Sequence, residues 1–354
     1  MGQITEPFKV AVIGCGGIAN EHLPFLASSP LVTLVGVCDT SKATADFARK
    51  RFAAEGCFTD AAEMLAMAKP EIVHVLTPPQ SHTSLVSLCL NSGAHVICEK
   101  PMTPTANETV GLLALAKEKG KLLIESRNLL FNDVVLKLDH LIANGSLGQV
   151  REIDVLLSLD LNAGSFGDLN LEGPGVALPG GAVQDFLPHL AYLFLHFAAC
   201  TQPVDQVCGT LENRSGNARV GCDHLDALVM AGPCRGRLRI ASDLKPDMFR
   251  LIVRGTKAAV ETDFYSPFMR IQRSSDSGKM APFEQIRSGL SLAGAGFGHL
   301  RDKVLQHGTY HGLPRMLQAF YQALAEGRDP PVTPSDIIAT SALVDRLIGL
   351  RSKP

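Results

Sequence analysis

Lys9-Val-Ala-Val-Ile-Gly-Cys-Gly-Gly-Ile-Ala19, followed by Leu31-Val-Thr-Leu-Val-Gly-Val-Cys-Asp39, decides how this chain is read. The apolar run Val10 to Ile13 predicts a strand that stops at Gly14-Cys-Gly-Gly-Ile-Ala19. That segment has the G-x-G-x-x-A spacing of a dinucleotide-binding turn. Gly14 lets the strand turn sharply into a helix, and Gly16 presents no Cβ to an approaching pyrophosphate. Ala19 keeps the helix close to the sheet. The helix start, with Gly17 and Ile18, offers N–H groups and a positive dipole end to phosphates. Asp39 lies twenty residues beyond Ala19 at the tip of the second strand, where it can accept hydrogen bonds from both ribose hydroxyls of an adenosine. An acid there repels a 2′-phosphate, so the expected cofactor is NAD. Lys42, the one cation in Thr40-Ser-Lys42, keeps NADP as the alternative.

The 354 residues exceed most single cores and predict two domains. A hydrophobic fraction of 46% with 19% charged residues describes an ordinary globular protein, and the net charge of −2 argues against nucleic acid or an anionic membrane as partner. No apolar run approaches the roughly 18 residues that span a bilayer. Met1-Gly-Gln-Ile-Thr-Glu-Pro7 lacks the basic and apolar regions of a signal peptide. Nine cysteines without a C-x-x-C pair fit reduced thiols in a cytoplasm.

Strand and helix signals alternate through residues 1–127. Asp60-Ala-Ala-Glu63 and Thr105-Ala-Asn-Glu108 read as capping boxes that open helices. Ile72 to Thr77 reads as a strand stopped by Pro78-Pro79, Ser81 to Asn91 as a helix, and His95 to Cys98 and Leu122 to Ile124 as further strands. This alternation predicts a parallel, doubly wound sheet. Residues 128–354 then form the expected substrate-binding and oligomerisation domain. Its strands are expected at Val150–Ser158, Val204–Leu211, Ala227–Met230, Arg235–Ala241 and Phe249–Val253, in an open, largely antiparallel sheet with a helix Phe186–Ala199 on one face. The predicted fold is therefore α/β throughout. Residues 159–182 and 281–300 are glycine-rich, and both are expected to be long loops of functional kind. A last helix, about 333–352, begins near Thr333-Pro-Ser-Asp336 and packs back on the first domain.

Two further groups carry chemistry. Glu99-Lys100-Pro101 falls at the carboxyl end of a strand, the edge where open α/β sheets bind ligands, and Lys100 there can hydrogen-bond an oxygen that gains or loses a hydride. Asp185 and His189 are four apart and share a helix face if Pro188 sits in the first turn, pairing a proton-transfer histidine with an orienting carboxylate. No third ligand suits a metal at that pair. His196 reads as a core histidine, and Tyr310-His311-Gly312 as a turn opening a helix.

Together these motifs resemble the glucose–fructose oxidoreductase, inositol dehydrogenase and MocA (Gfo/Idh/MocA) family, with further likeness in Thr77-Pro-Pro-Gln-Ser-His82, Gly145-Ser-Leu-Gly-Gln-Val150 and Pro331-Val-Thr-Pro334. The resemblance implies hydride transfer with NAD or NADP, with Lys100, Asp185 and His189 at the catalytic positions. Thr77, Pro78, His82, Glu99 and Asn128 complete the cofactor groove that this reading expects. The substrate expected is a polyol, sugar, sugar derivative or cyclitol, held by the carboxyl edge of the first sheet and the second domain's sheet, and the assembly a homodimer or homotetramer. Departures cluster near the substrate: Leu130-Phe131 stands where many relatives have Arg-Phe, and Leu187 replaces a glycine. Two alternatives accompany this reading: transient use of NAD for elimination or hydrolysis of a glycoside, and a nicotinamide-binding sensor without turnover. The glycine-rich segments, rimmed by Asp160, Asn162, Asp168 and Asn170, are the expected specificity elements and lid.

Overall fold

A computed structural model describes residues 6–160, 177–273, 281–304 and 311–351. It divides into two compact units, Met1–Asn128 with Gly312–Ser341, and Leu129–His311 with Ala342–Pro354.

In the first unit, β1 (Phe8–Ile13), β2 (Val32–Cys38), β3 (Gly56–Phe58), β4 (Ile72–Val75), β5 (His95–Cys98) and β6 (Leu123–Glu125) make one parallel sheet in the order β3-β2-β1-β4-β5-β6. The order reverses at β1/β4, the switch point beside which doubly wound sheets bind nucleotides. Every residue of β4 is buried, as expected of a strand covered on both faces. Helices α1 (Ala19–Ser28), α2 (Lys42–Phe52), α3 (Ala61–Ala68), α4 (His82–Asn91) and α5 (Ala106–Glu118) connect the strands. The capping boxes form as read. Asp60 Oδ1 accepts from Glu63 N at 2.8 Å, and Thr105 Oγ1 donates to Glu108 Oε2 at 2.8 Å. The core packs Ile13, Met64, Val73, Val96, Leu112 and Ile337 among others. Ile337 belongs to α10 (Pro334–Ile348), whose start is capped by Thr333 and Asp336. The first turns of α10 and the whole of α9 (Gly312–Glu326), which starts where Tyr310-His311-Gly312 was read as opening a helix, therefore complete the first unit.

In the second unit, β7 (Val150–Ser158), β8 (Gln206–Glu212), β9 (His224–Ala231), β10 (Cys234–Ala241), β11 (Met248–Gly255), β12 (Ala258–Asp263) and β13 (Met269–Arg273) form a sheet ordered β13-β12-β11-β7-β10-β9-β8. All pairings are antiparallel except β7 with β10. Strands β12 and β13 and helix α6 (Asp133–Ala143) were not anticipated. Helix α7 (Leu187–Phe197) covers one face, and a Cβ on Gly236 of β10 would lie 2.3 Å from the Phe194 ring. The other face is of mixed polarity. Its residues alternate with the buried ones and include the ion pairs Arg237–Asp226, Arg254–Glu152 and Arg250–Glu261, interspersed with Leu228, which is 54% exposed.

Residues 281–300 are also corrected: Ala281–Val304 is one 24-residue helix, α8, rather than a loop. Phe283, Ile286, Leu290, Ala293, Phe297 and Leu300 recur at alternating spacings of three and four, a helical period that outweighs four glycines costing up to about 1 kcal/mol each. A glycine lid cannot operate through this continuous helix. Of the other expected rim, Asp160 is held by Lys245 at 3.4 Å, whereas Asn162, Asp168 and Asn170, like Tyr310, lie outside the described residues. Among the described residues no helix is long and apolar enough to cross a membrane.

Candidate functional site

The turn after β1 is built around one obligatory glycine. Gly14 has φ +93°, and a Cβ there would sit 2.8 Å from the Leu76 carbonyl carbon and 2.9 Å from its oxygen. Gly14 N donates to Cys38 O at 2.8 Å, which pins the turn to the end of β2. Asp39 reinforces it: Oδ2 accepts from Cys15 N at 2.9 Å and Oδ1 from Ser41 N at 2.8 Å. A carboxylate has about four acceptor sites, so these two bonds leave capacity for ribose hydroxyls.

Gly16 and Gly17 differ from Gly14. Both are exposed, and a Cβ on either would meet nothing within 4 Å. Packing inside the protein does not require glycine at these two positions. What they keep clear is the approach from outside, onto main-chain N–H groups of Gly16, Gly17 and Ile18 that make no hydrogen bond among the described residues. This is the cradle a pyrophosphate needs, and the residues fit a dinucleotide. Burial and the Asp39 carboxylate push the Cys15 thiol up to about 12, so it stays protonated and passive in this turn.

At the carboxyl end of β5, the half-buried Lys100 follows buried Glu99 and precedes Pro101 in a cis peptide. The loop is held from several sides. Lys100 N donates to Glu99 Oε2 at 3.2 Å, and Met102 N donates to Glu125 Oε1 at 2.9 Å. Glu125 is itself paired with Arg127 at 3.0 Å, both side chains being 3% exposed. Burial alone would raise the Glu99 carboxyl. Hydrogen bonds from His22 and Ser126, with the Lys100 charge, outweigh burial and hold it below the usual carboxylate range.

His82 does not line the groove. It is fully buried, with Nε2 2.7 Å from Thr77 O and Nδ1 3.0 Å from Pro101 O and 3.1 Å from Met102 O. Its work is to tie the loop after β4 to the Lys100 loop, and burial keeps its pKa below the ordinary histidine value. Of the other expected groove residues, Thr77 is half-buried and accepts from Ser81 Oγ at 2.8 Å, Pro78 and Lys42 are exposed, and Asn128 is 7% exposed.

In the second unit, Gly181 at φ +73° opens the turn that carries Asp185. A Cβ there would sit 2.5 Å from Val220 O. Asp185 ends a 3₁₀ turn, Ala182–Asp185, and His189 lies in the first turn of α7 beside Pro188, where proline is tolerated. Both are half-buried. The sequence reading missed Tyr192. Its hydroxyl lies 2.6 Å from His189 Nδ1, and its ring meets the imidazole edge-on at 5.5 Å. The i, i+3 spacing on an apolar helix was the available signal. Phe249 lies against the same imidazole at 6.3 Å. His196 is no core histidine: it is exposed and paired with Asp139 at 2.7 Å. Among the described residues no three His, Cys, Asp or Glu side chains gather as metal ligands would.

Comparison with known proteins gives the following likenesses. Residues 8–126 match the oxidoreductase family, NAD-binding Rossmann fold, of the Gfo/Idh/MocA group. An uncharacterized oxidoreductase of Schizosaccharomyces pombe is 37% identical over 151 residues, 42% of this chain and 41% of that protein. The D-glucoside 3-dehydrogenase of Escherichia coli is 29% identical over 147 residues, 41% of this chain and 42% of the enzyme. The match thus spans about two fifths of these relatives. A 3-ketoreductase from Actinomadura kijaniata, solved with NADP and TDP-benzene, shares the fold over 98% of both chains at TM-score 0.73 and 19% identity. The WlbA dehydrogenase from Bordetella pertussis, solved with NADH and UDP-GlcNAcA, does so over 98% of this chain and 96% of its own at TM-score 0.77 and 16% identity. Through residues 8–126, the chain is similar to the Gfo/Idh/MocA oxidoreductase family.

Proposed function

We propose that this protein is an NAD(P)-dependent oxidoreductase acting on a secondary alcohol or ketone of a sugar, sugar derivative or cyclitol. The observation that carries the reading is Lys100. It stands on a loop pinned by Glu99, His82 and Glu125 at the carboxyl edge of the sheet whose first turn cradles a dinucleotide. The names of the relatives support a sugar as substrate class.

Bound nicotinamide would supply the hydride acceptor or donor. The chain's own groups handle charge and protons. Lys100 hydrogen-bonds the reacting oxygen and stabilises the charge that develops there. His189 takes the hydroxyl proton in oxidation. With Nδ1–H donated to Tyr192 oxygen, Nε2 keeps the lone pair a base requires. Asp185 orients His189 or a substrate hydroxyl. Asp39 favours NAD, with Lys42 as the residue that would admit NADP.

Lys100→Ala and His189→Ala are each expected to lose about 10²–10⁴ in turnover while still binding NADH. The assay reads NAD reduction across a panel of sugars, cyclitols and nucleotide sugars, and full turnover in both variants would refute the assignment.

We also propose a homo-oligomer, dimer or tetramer, in a cytoplasm. The open sheet face supports the first, since its alternating Arg and acidic residues can meet the same surface on a second copy. Nine free thiols support the second. Light scattering at micromolar concentration should show a species of at least twice the 37.8 kDa chain, and a monomer alone would count against self-association.

A further inference from the structure

The interior of the first unit holds a connected set of polar groups that hydride transfer does not use. His74 sits in the middle of β4, a strand otherwise of Ile and Val, and is fully buried. Its Nε2 lies 2.8 Å from the hydroxyl of Tyr321 on α9, and its Nδ1 lies 3.0 Å from Nδ1 of His22 on α1. His22 Nε2 lies 3.0 Å from Glu99 Oε1. Glu99 Oε2 in turn accepts the main-chain N–H of Lys100. His22, His74 and Tyr321 are all 0% exposed.

We propose that Tyr321, His74 and His22 are positioning residues: a tautomer-locked hydrogen-bond relay that fixes the Glu99 carboxylate and, through it, the main chain at Lys100. This rests on the role given to Lys100 above.

The ends of the relay set its direction. His74 is the one hydrogen-bond partner of the Tyr321 hydroxyl among the described residues, so this buried O–H donates to His74 Nε2. An imidazole that accepts at Nε2 and stays neutral carries its proton at Nδ1. His74 Nδ1–H therefore donates to His22 Nδ1. His22 then carries its own proton at Nε2 and donates it to Glu99. Each ring nitrogen along the path and the Tyr321 oxygen have one complementary partner, and the single negative charge lies at Glu99.

Electrostatics agree with this order. Burial holds His74 well below the ordinary histidine range, so it is neutral. Burial pushes the Tyr321 phenol well above its usual value, which prevents the charge from moving to that end. A reversed chain would need tyrosinate, or a buried phenol proton with no acceptor, at Tyr321. The relay also explains why a strand of this buried type carries a histidine. His74 links α9, contributed from beyond residue 311, to the loop bearing Lys100.

Nitrogen-15 NMR of the imidazoles in the full chain at neutral pH tests the direction without any substitution. His22 should be protonated at Nε2 only, and His74 at Nδ1 only. A proton on His74 Nε2, or two protons on His22, would overturn the relay. Amide hydrogen exchange at Lys100 tests the positioning. His22→Leu, which removes the donor to Glu99, should exchange about tenfold faster at that amide, and His22→Gln, which restores a donor of similar reach, should stay near wild type. Equal exchange in all three proteins would remove the positioning role. Neither readout needs a substrate, so their failure leaves the oxidoreductase reading in place. Full turnover by Lys100→Ala would remove that reading and leave the tautomers unaffected.

Discussion

Gly14 to Gly17 and Gly289 to Gly298 are both glycine-rich and have opposite backbones. In the first, Gly14 holds φ +93° against the Leu76 carbonyl, while Gly16 and Gly17 leave open the approach to main-chain N–H groups. In the second, every glycine lies within α8, and a Cβ on Gly289, Gly294, Gly296 or Gly298 would meet nothing within 4 Å. Glycine at Gly14 is demanded by the fold, at Gly16 by what approaches from outside, and in α8 by neither. The same residue type thus has three different costs of replacement, and substitution by alanine separates them.

The largest effect belongs to Gly14→Ala. The added Cβ meets backbone rather than a side-chain end that could move, and the positive φ adds strain. A loss of about 2–6 kcal/mol in urea unfolding is expected, together with loss of NADH binding. A variant as stable as wild type would break the distinction between this glycine and the others. At the small end, Gly294→Ala should stabilise the protein by up to about 1 kcal/mol, because alanine restricts the unfolded chain and favours helix. Destabilisation by Gly294→Ala in the same urea titration would mean that the position serves packing after all.

The first unit was legible because its signals are local. β1 stops at Gly14 and β4 shortly before Pro78-Pro79, and the boxes at Asp60/Glu63, Thr105/Glu108 and Thr333/Asp336 mark helix starts through one side chain and one amide. Helix α8 was misread because glycine content was weighed above the three-and-four spacing from Phe283 to Leu300. Strands β12 and β13 carry polar residues between apolar ones, and β13 is an exposed edge strand, so neither forms the apolar run that marked β7.

The candidate site was legible by residue type and less so by partner. Lys100, Asp185 and His189 stand out as chemistry-bearing residues at element ends. Tyr192 is invisible as a partner until the helix register is known, although it is only three residues from His189. Tyr321 is 247 residues from His74, a separation at which one sequence carries no pairing signal. His82 shows the converse. Its place beside Pro78-Pro79 suggested the groove, but the fold turns its ring inward onto three carbonyls.

The central claim is that the turn at Gly14–Ile18 binds a nicotinamide dinucleotide, and titrating NADH into wild type and Gly16→Ala tests it most directly. No described residue opposes a Cβ at Gly16, so the variant should unfold at the same urea concentration as wild type yet bind NADH at least about tenfold more weakly, a loss of roughly 1.4 kcal/mol. Wild type should bind NADH more tightly than NADPH. Failure of wild type to bind either nucleotide, or equal NADH affinity in the folded Gly16→Ala variant, would contradict the account.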